Sequence, residues 1–193
     1  MASHTFFVIQ AFLDLPRAGG LHAQLRDYVH NAPKLMGYDK KNRYYQGFAR
    51  AVLPWVPHFK RGVWDYVEDS ANAMNEWSGW TNGTLEDATD AAETADPRAA
   101  FRGGPQSMFF TLCFLLQKGG VADQIICERC RIPEHQMWTR QAFGTLVATP
   151  PQFHFPSVKG DAIFVRPGAT IERGVTEIEL GEERYKYLRV LST

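Results

Sequence analysis

Between Gln106 and Gln117 the chain carries no charged residue, and Met108-Phe109-Phe110-Thr111-Leu112-Cys113-Phe114-Leu115-Leu116 holds a single hydroxyl. A run like this belongs in the centre of a fold, because water would solvate almost none of it. It is too short to cross a bilayer. Gly103-Gly104-Pro105 precedes it and Gly119-Gly120 follows it. Those breakers, with Pro105 suited to a first turn, predict a helix over about 105–117 that is apolar on every side.

The rest of the chain is read around that element. His4 to Phe12 is rich in β-branched and aromatic residues and predicts a buried strand ending before Pro16 and Gly19-Gly20. Helices are expected from Leu21 to His30, from Asp39 to Val52, and from Lys60 or Arg61 to Trp77. In the last of these, Val63, Val67, Ala71, Met74 and Trp77 recur at intervals of three and four. Ser78 to Thr84 reads as a turn. An acidic helix should follow to Ala95, since Glu86, Asp87, Asp90, Glu93 and Asp96 meet no base there. Two short helices, Val121–Cys130 and Glu134–Phe143, flank Arg131-Ile132-Pro133.

From Gly144 the pattern turns to strands. These are Thr145–Ala148, then Asp161–Arg166 after the prolines 150, 151 and 156, then a hairpin of Glu177–Leu180 and Tyr185–Val190 about Gly181-Glu182-Glu183. The expectation is an α+β fold: a helical bundle around the buried helix at about 105–117, with a small C-terminal antiparallel sheet. It forms one domain over 1–193, helical over about 1–143 and β-rich over about 144–193.

Charge narrows the function. Lys plus Arg and Asp plus Glu number 21 each, so the net charge is zero. That balance argues against a nucleic-acid partner, whose phosphates need an excess of cations. No apolar stretch has the length for a membrane span. Cys113, Cys127 and Cys130 are too few and too irregular for a secreted disulfide framework, which points to the cytoplasm.

Several groupings suggest chemistry. Cys127-Glu128-Arg129-Cys130 is a C-x-x-C with His135 five residues on; His154 or Cys113 would complete four soft ligands, the donor set zinc takes. Against this, thiols three apart also sit one turn apart on a helix as small core residues. Arg129 and Arg131 beside the pair would favour a redox thiolate. The helix pair 121–143 has the lengths of a helix-turn-helix unit, and Thr145 would begin a wing. However, Arg131 stands where the turn favours glycine, and Glu134-His135-Gln136-Met137-Trp138-Thr139-Arg140 is poor in cations. Tyr38 to Tyr45 mixes rings and cations, as single-strand binders do, although the spacing equally turns Tyr44 and Tyr45 inward on a helix. Pro54-Trp55-Val56-Pro57-His58-Phe59-Lys60-Arg61 reads either as a corner between elements or as a pocket for an anion, with Trp55, His58, Lys60 and Arg61 as its binding residues.

There is no G-x-S-x-G elbow, P-loop, G-x-G-x-x-G or H-E-x-x-H, and His22, His30, His58, His135 and His154 are dispersed. Apolar residues make up 45% and aromatic residues 13%, and aromatic side chains are what interface cores use. The favoured expectation is therefore a non-catalytic accessory or adaptor protein, acting on a protein partner or as a homo-oligomer. The alternatives are a small metal-binding protein or enzyme built on Cys127, Cys130, His135 and His154, with zinc as the metal, and a winged helix-turn-helix DNA binder.

Overall fold

The computed structural model describes residues 3–32, 37–94, 106–167 and 174–193, with side chains described for all of these except 83–94. Its centre is a pair of long antiparallel strands, β1 (His4–Asp14) and β3 (Gln106–Gln117), in register from His4 opposite Gln117 to Asp14 opposite Ser107. β2 (Arg61–Val67) lies on the far side of β1, and β6 (Arg189–Val190) pairs with the start of β2. β4 (Val158–Arg166) lies on the far side of β3. The order is β4-β3-β1-β2-β6, with β5 (Val175–Thr176) paired to the first residues of β3.

This overturns the expected helical bundle around a helix at 105–117 with a small C-terminal sheet. The apolar run is a central strand of a six-stranded sheet that draws strands from both ends and the middle of the chain. The reason lies in its burial. Residues 107–116 are buried on both faces, so no polar side alternates with an apolar one, and such a strand carries the same signature as a buried helix. Phe109, Phe110, Thr111 and Phe114 suit the pleat, and they decide the matter once β1 lies alongside.

The expected helix over 61–77 fails for a related reason. Arg61 to Val67 is a strand whose Gly62, Trp64 and Tyr66 share one face and whose Val63 and Val67 share the other. The helix begins only at Ser70, where Asp69 caps it by accepting from Asn72 N at 2.9 Å. This helix, α3 (Ser70–Thr94), runs straight through the expected turn at 78–84. The acidic helix expected beyond it is the continuation of α3 as far as Thr94; its acidic side chains lie outside the described side chains, and Asp96 outside the described residues.

Odd-numbered residues of β1 and even-numbered residues of β3 face the larger core. There Phe7, Ile9, Phe110, Leu112 and Phe114 meet α1 (Leu15–His30), α2 (Tyr38–Val52), α4 (Val121–Arg129) and α5 (Arg140–Val147) through Leu21, Leu25, Tyr45, Phe48, Ile126, Phe143 and Leu146. The opposite face is split. α3 covers Phe6, Val8 and Cys113 with Ala73, Trp77 and Trp80. The C-terminal segment covers Phe12 and Phe109 with Val175, Leu180, Tyr185 and Leu188.

That segment is not the expected hairpin. It makes two 3-10 turns, Glu179–Gly181 and Glu183–Tyr185. Thr176 and Glu179 fix the first of them by reciprocal bonds: the Glu179 carboxylate accepts from Thr176 N and Oγ1 at 2.8 Å each, and Thr176 Oγ1 accepts from Glu179 N at 3.3 Å. The expected strand at 145–148 falls within α5 and the residue that ends it.

Gly62 shows how closely α5 sits on the sheet. A Cβ there would lie 2.4 Å from Phe143 Cε1 and 2.7 Å from the Gln10 carbonyl oxygen, which is backbone in a paired strand and cannot withdraw. Gly62→Ala is expected to cost about 2 kcal/mol of stability through overpacking. A urea midpoint equal to that of the parent protein would contradict this packing.

Candidate functional site

Three polar groups interrupt the apolar layers, and each is built from elements far apart in sequence. Asp123, on the first turn of α4, is buried among them. Its Oδ1 accepts from Thr5 Oγ1 on β1 at 2.5 Å and from Tyr66 OH on β2 at 2.6 Å, and its Oδ2 accepts from Gly119 N at 2.7 Å. The carboxylate thus closes the start of α4 and ties it to two strands. Burial first, then the bond to Asp123 and its charge, raise the Tyr66 phenol well above its ordinary value, so it stays a donor.

In the second group, Lys41 of α2 pairs with Asp161 of β4, and Tyr45 OH donates to Asp161 Oδ2 at 3.0 Å. Burial first, then Asp161, push the Tyr45 phenol up. Next to it Tyr44 stacks on Tyr28 with centroids 4.5 Å apart. Burial, followed by Tyr28 and Asp161, takes the Tyr44 phenol to about 12. In the third group, Gln10 Nε2 donates to Thr111 Oγ1 at 2.8 Å, and Tyr187 OH donates to Gln10 Oε1 at 3.0 Å, between the two apolar clusters of the second face. In each case the groups answer one another, as buried polar atoms in stable cores do.

The residues singled out from the sequence are distributed otherwise. Cys127 lies in α4 and Cys130 caps its end, both as free thiols. The Cys127 thiol approaches Glu68 Oε1 at 3.9 Å. His135 is exposed in a 3-10 turn, with a ring nitrogen 3.2 Å from the Gln136 amide, and His154 is exposed ahead of β4. Among the described residues no three His, Cys, Asp or Glu side chains gather as a metal would need.

Burial, with Cys127 and Asp65 nearby, pushes the Cys130 thiol from 9.0 to about 12, which keeps it protonated at neutral pH and a poor nucleophile. An acid whose pKa is raised by folding stabilises the fold fully below its unfolded value, and loses that contribution as pH rises through the folded value. The protein is therefore expected to lose stability between about pH 9 and about pH 12. Cys130→Ala should flatten the loss in a urea titration against pH; equal slopes for the two proteins would contradict the burial of this thiol.

Trp55 and His58 meet edge to face with centroids 5.8 Å apart, at the corner between α2 and β2. Lys60 is held by Asp14 at 2.6 Å and Arg61 by Glu177 at 3.6 Å, so both cations have carboxylate partners. The helix pair is not a helix-turn-helix: α4 ends at Arg129 and α5 begins at Arg140, with most of the expected second helix in between. Arg140 donates from Nε to the Phe59 carbonyl at 2.8 Å.

What the sequence did not single out is the flank of the sheet. β4 pairs with β3 on one side only, and no described residue bonds to its outer edge. Its side chains are partly exposed on both faces: Ile163 and Val165 reach toward the larger core, Ala162 and Phe164 toward the α3 side. Short runs like this read only as "strand" in a sequence; whether an edge is covered is a property of the whole sheet. Comparison with family models, with curated proteins and with solved structures finds no match for the chain.

Proposed function

We propose that the protein is a non-catalytic binding module that works through protein–protein contact, and that the contact is made along the outer edge of β4. One observation carries the reading. The buried polar groups are already joined to one another, whereas β4 presents a row of backbone donors and acceptors with apolar side chains on both faces. Such an edge invites another chain, and proteins that do not use it usually blunt it along its length. Two of the exposed large apolar side chains lie on the helices that contact β4. Tyr38 lies one turn before Lys41, which holds Asp161, and Met74 lies one turn before Trp77, which packs against Gly160.

Site-directed photocrosslinking in the cells that make the protein tests this. Crosslinkers at Lys159 and Ala162 should trap one defined protein that a crosslinker at Gln141, exposed on α5, does not trap. The same products from all three positions, or none from β4, would count against the reading.

A further inference from the structure

Building on that reading, we infer that the occupant of the β4 edge is an extended strand of a different protein, apolar at its centre and acidic at both ends. The edge itself sets these requirements. A β-bulge at Lys159 closes one end, where the register with β3 shifts between Leu115 and Leu116. Pro167, which has no N–H, closes the other. Between them Gly160 to Arg166 runs in unbroken register opposite Leu115 to Phe109, a length of about 23 Å. An added strand would bond to these backbone groups and set its alternate side chains beside Ile163 and Val165 on one face, and Ala162 and Phe164 on the other.

Charge selects the ends. Lys159 is exposed, and among the described residues its ammonium reaches only the Pro156 carbonyl, at 3.3 Å. Arg166 makes no ion pair among the described residues, and its Nε is buried without a hydrogen-bond acceptor. The acid between these two cations, Asp161, is already engaged by Lys41 and Tyr45. Among the described residues the edge therefore offers two uncompensated cations, one at each end, and no free anion. A second copy of the chain would bring the same two cations and the same engaged acid, so it leaves the charge unmatched. A foreign strand with carboxylates at both ends matches it.

The test uses synthetic peptides with a central run of alternating valine and threonine, read by fluorescence anisotropy on the full chain. A glutamate-ended peptide should bind saturably, with protection of β4 amides against hydrogen exchange. A lysine-ended peptide should bind at least about tenfold more weakly. N-methylation of alternate backbone amides should abolish binding. The Lys159→Glu, Arg166→Glu double variant, checked for an unchanged urea midpoint, should reverse the preference between the two ends. Equal binding of both peptides, binding indifferent to N-methylation, or no saturable binding would overturn the inference. So would self-association of the chain that protects β4. If the β4 crosslinks persist while the peptides have no effect, strand addition fails and protein contact at this edge stands.

Discussion

Phe114→Ala is expected to lower the unfolding free energy by about 4 kcal/mol. Phe114 is fully buried in the middle of β3, between Phe7 of β1 and Asp161 of β4. Its ring meets Tyr45 at 5.0 Å and Phe153 at 5.1 Å between centroids, and it stacks on Phe7 at 6.4 Å. Truncation leaves a cavity bounded by a sheet on one side and by α2 and the Phe153–Phe155 stretch on the other, and a paired sheet cannot collapse into it. Urea unfolding gives the number. A loss below about 1.5 kcal/mol would mean that the side chain is not enclosed as described.

Asp123→Ala should cost about 3 kcal/mol, because it strands three donors at once. The Thr5 hydroxyl, the Tyr66 phenol and the Gly119 N–H all converge on this carboxylate, and the first is buried completely. The loss is one of satisfaction more than of charge. Asp123→Asn, which keeps acceptor capacity on one oxygen, should therefore recover part of it. Pairing the mutation with Tyr66→Phe separates the two contributions: the double variant should lose less than the sum of the singles. Strict additivity would show that Tyr66 and Asp123 are not coupled.

Both residues show where a reading of the sequence succeeds and where it stops. β1 was readable because Thr5, Phe6, Phe7, Val8 and Ile9 favour a pleat and Pro16 lies just beyond it. α2 was readable because Tyr44, Tyr45, Phe48 and Val52 leave a stripe. α4 was readable between its glycines and Arg131. The run at 108–116 shows in the sequence as central but not as a strand, because a strand buried on both faces has no period to display. At 61–67, the valines at 63 and 67 joined by chance to the helical spacing of Ala71, Met74 and Trp77; the alternation of Gly62, Trp64 and Tyr66 was the better guide.

The site is less readable still. Thr5, Gln10, Thr111 and Asp123 were visible as polar residues in or beside apolar segments, and a buried strand that keeps a glutamine is a signal that a partner exists. Their partners lie from 57 to 118 positions away in the cases of Tyr66 with Asp123, Gln10 with Thr111, and Thr5 with Asp123, so no local pattern could join them. A sheet edge has no sequence signature of its own, since it is defined by which strands pair, and among the described residues β4 pairs with β3 alone.

Hydrogen exchange of the free protein tests that edge most directly. In an antiparallel strand, alternate N–H groups point to opposite sides. Alternate amides of β4 should therefore exchange rapidly, while those between them, and the amides of β1 and β3, exchange only with global unfolding. Uniform strong protection along β4, equal to that of β3, would show the edge to be already covered and would contradict the account.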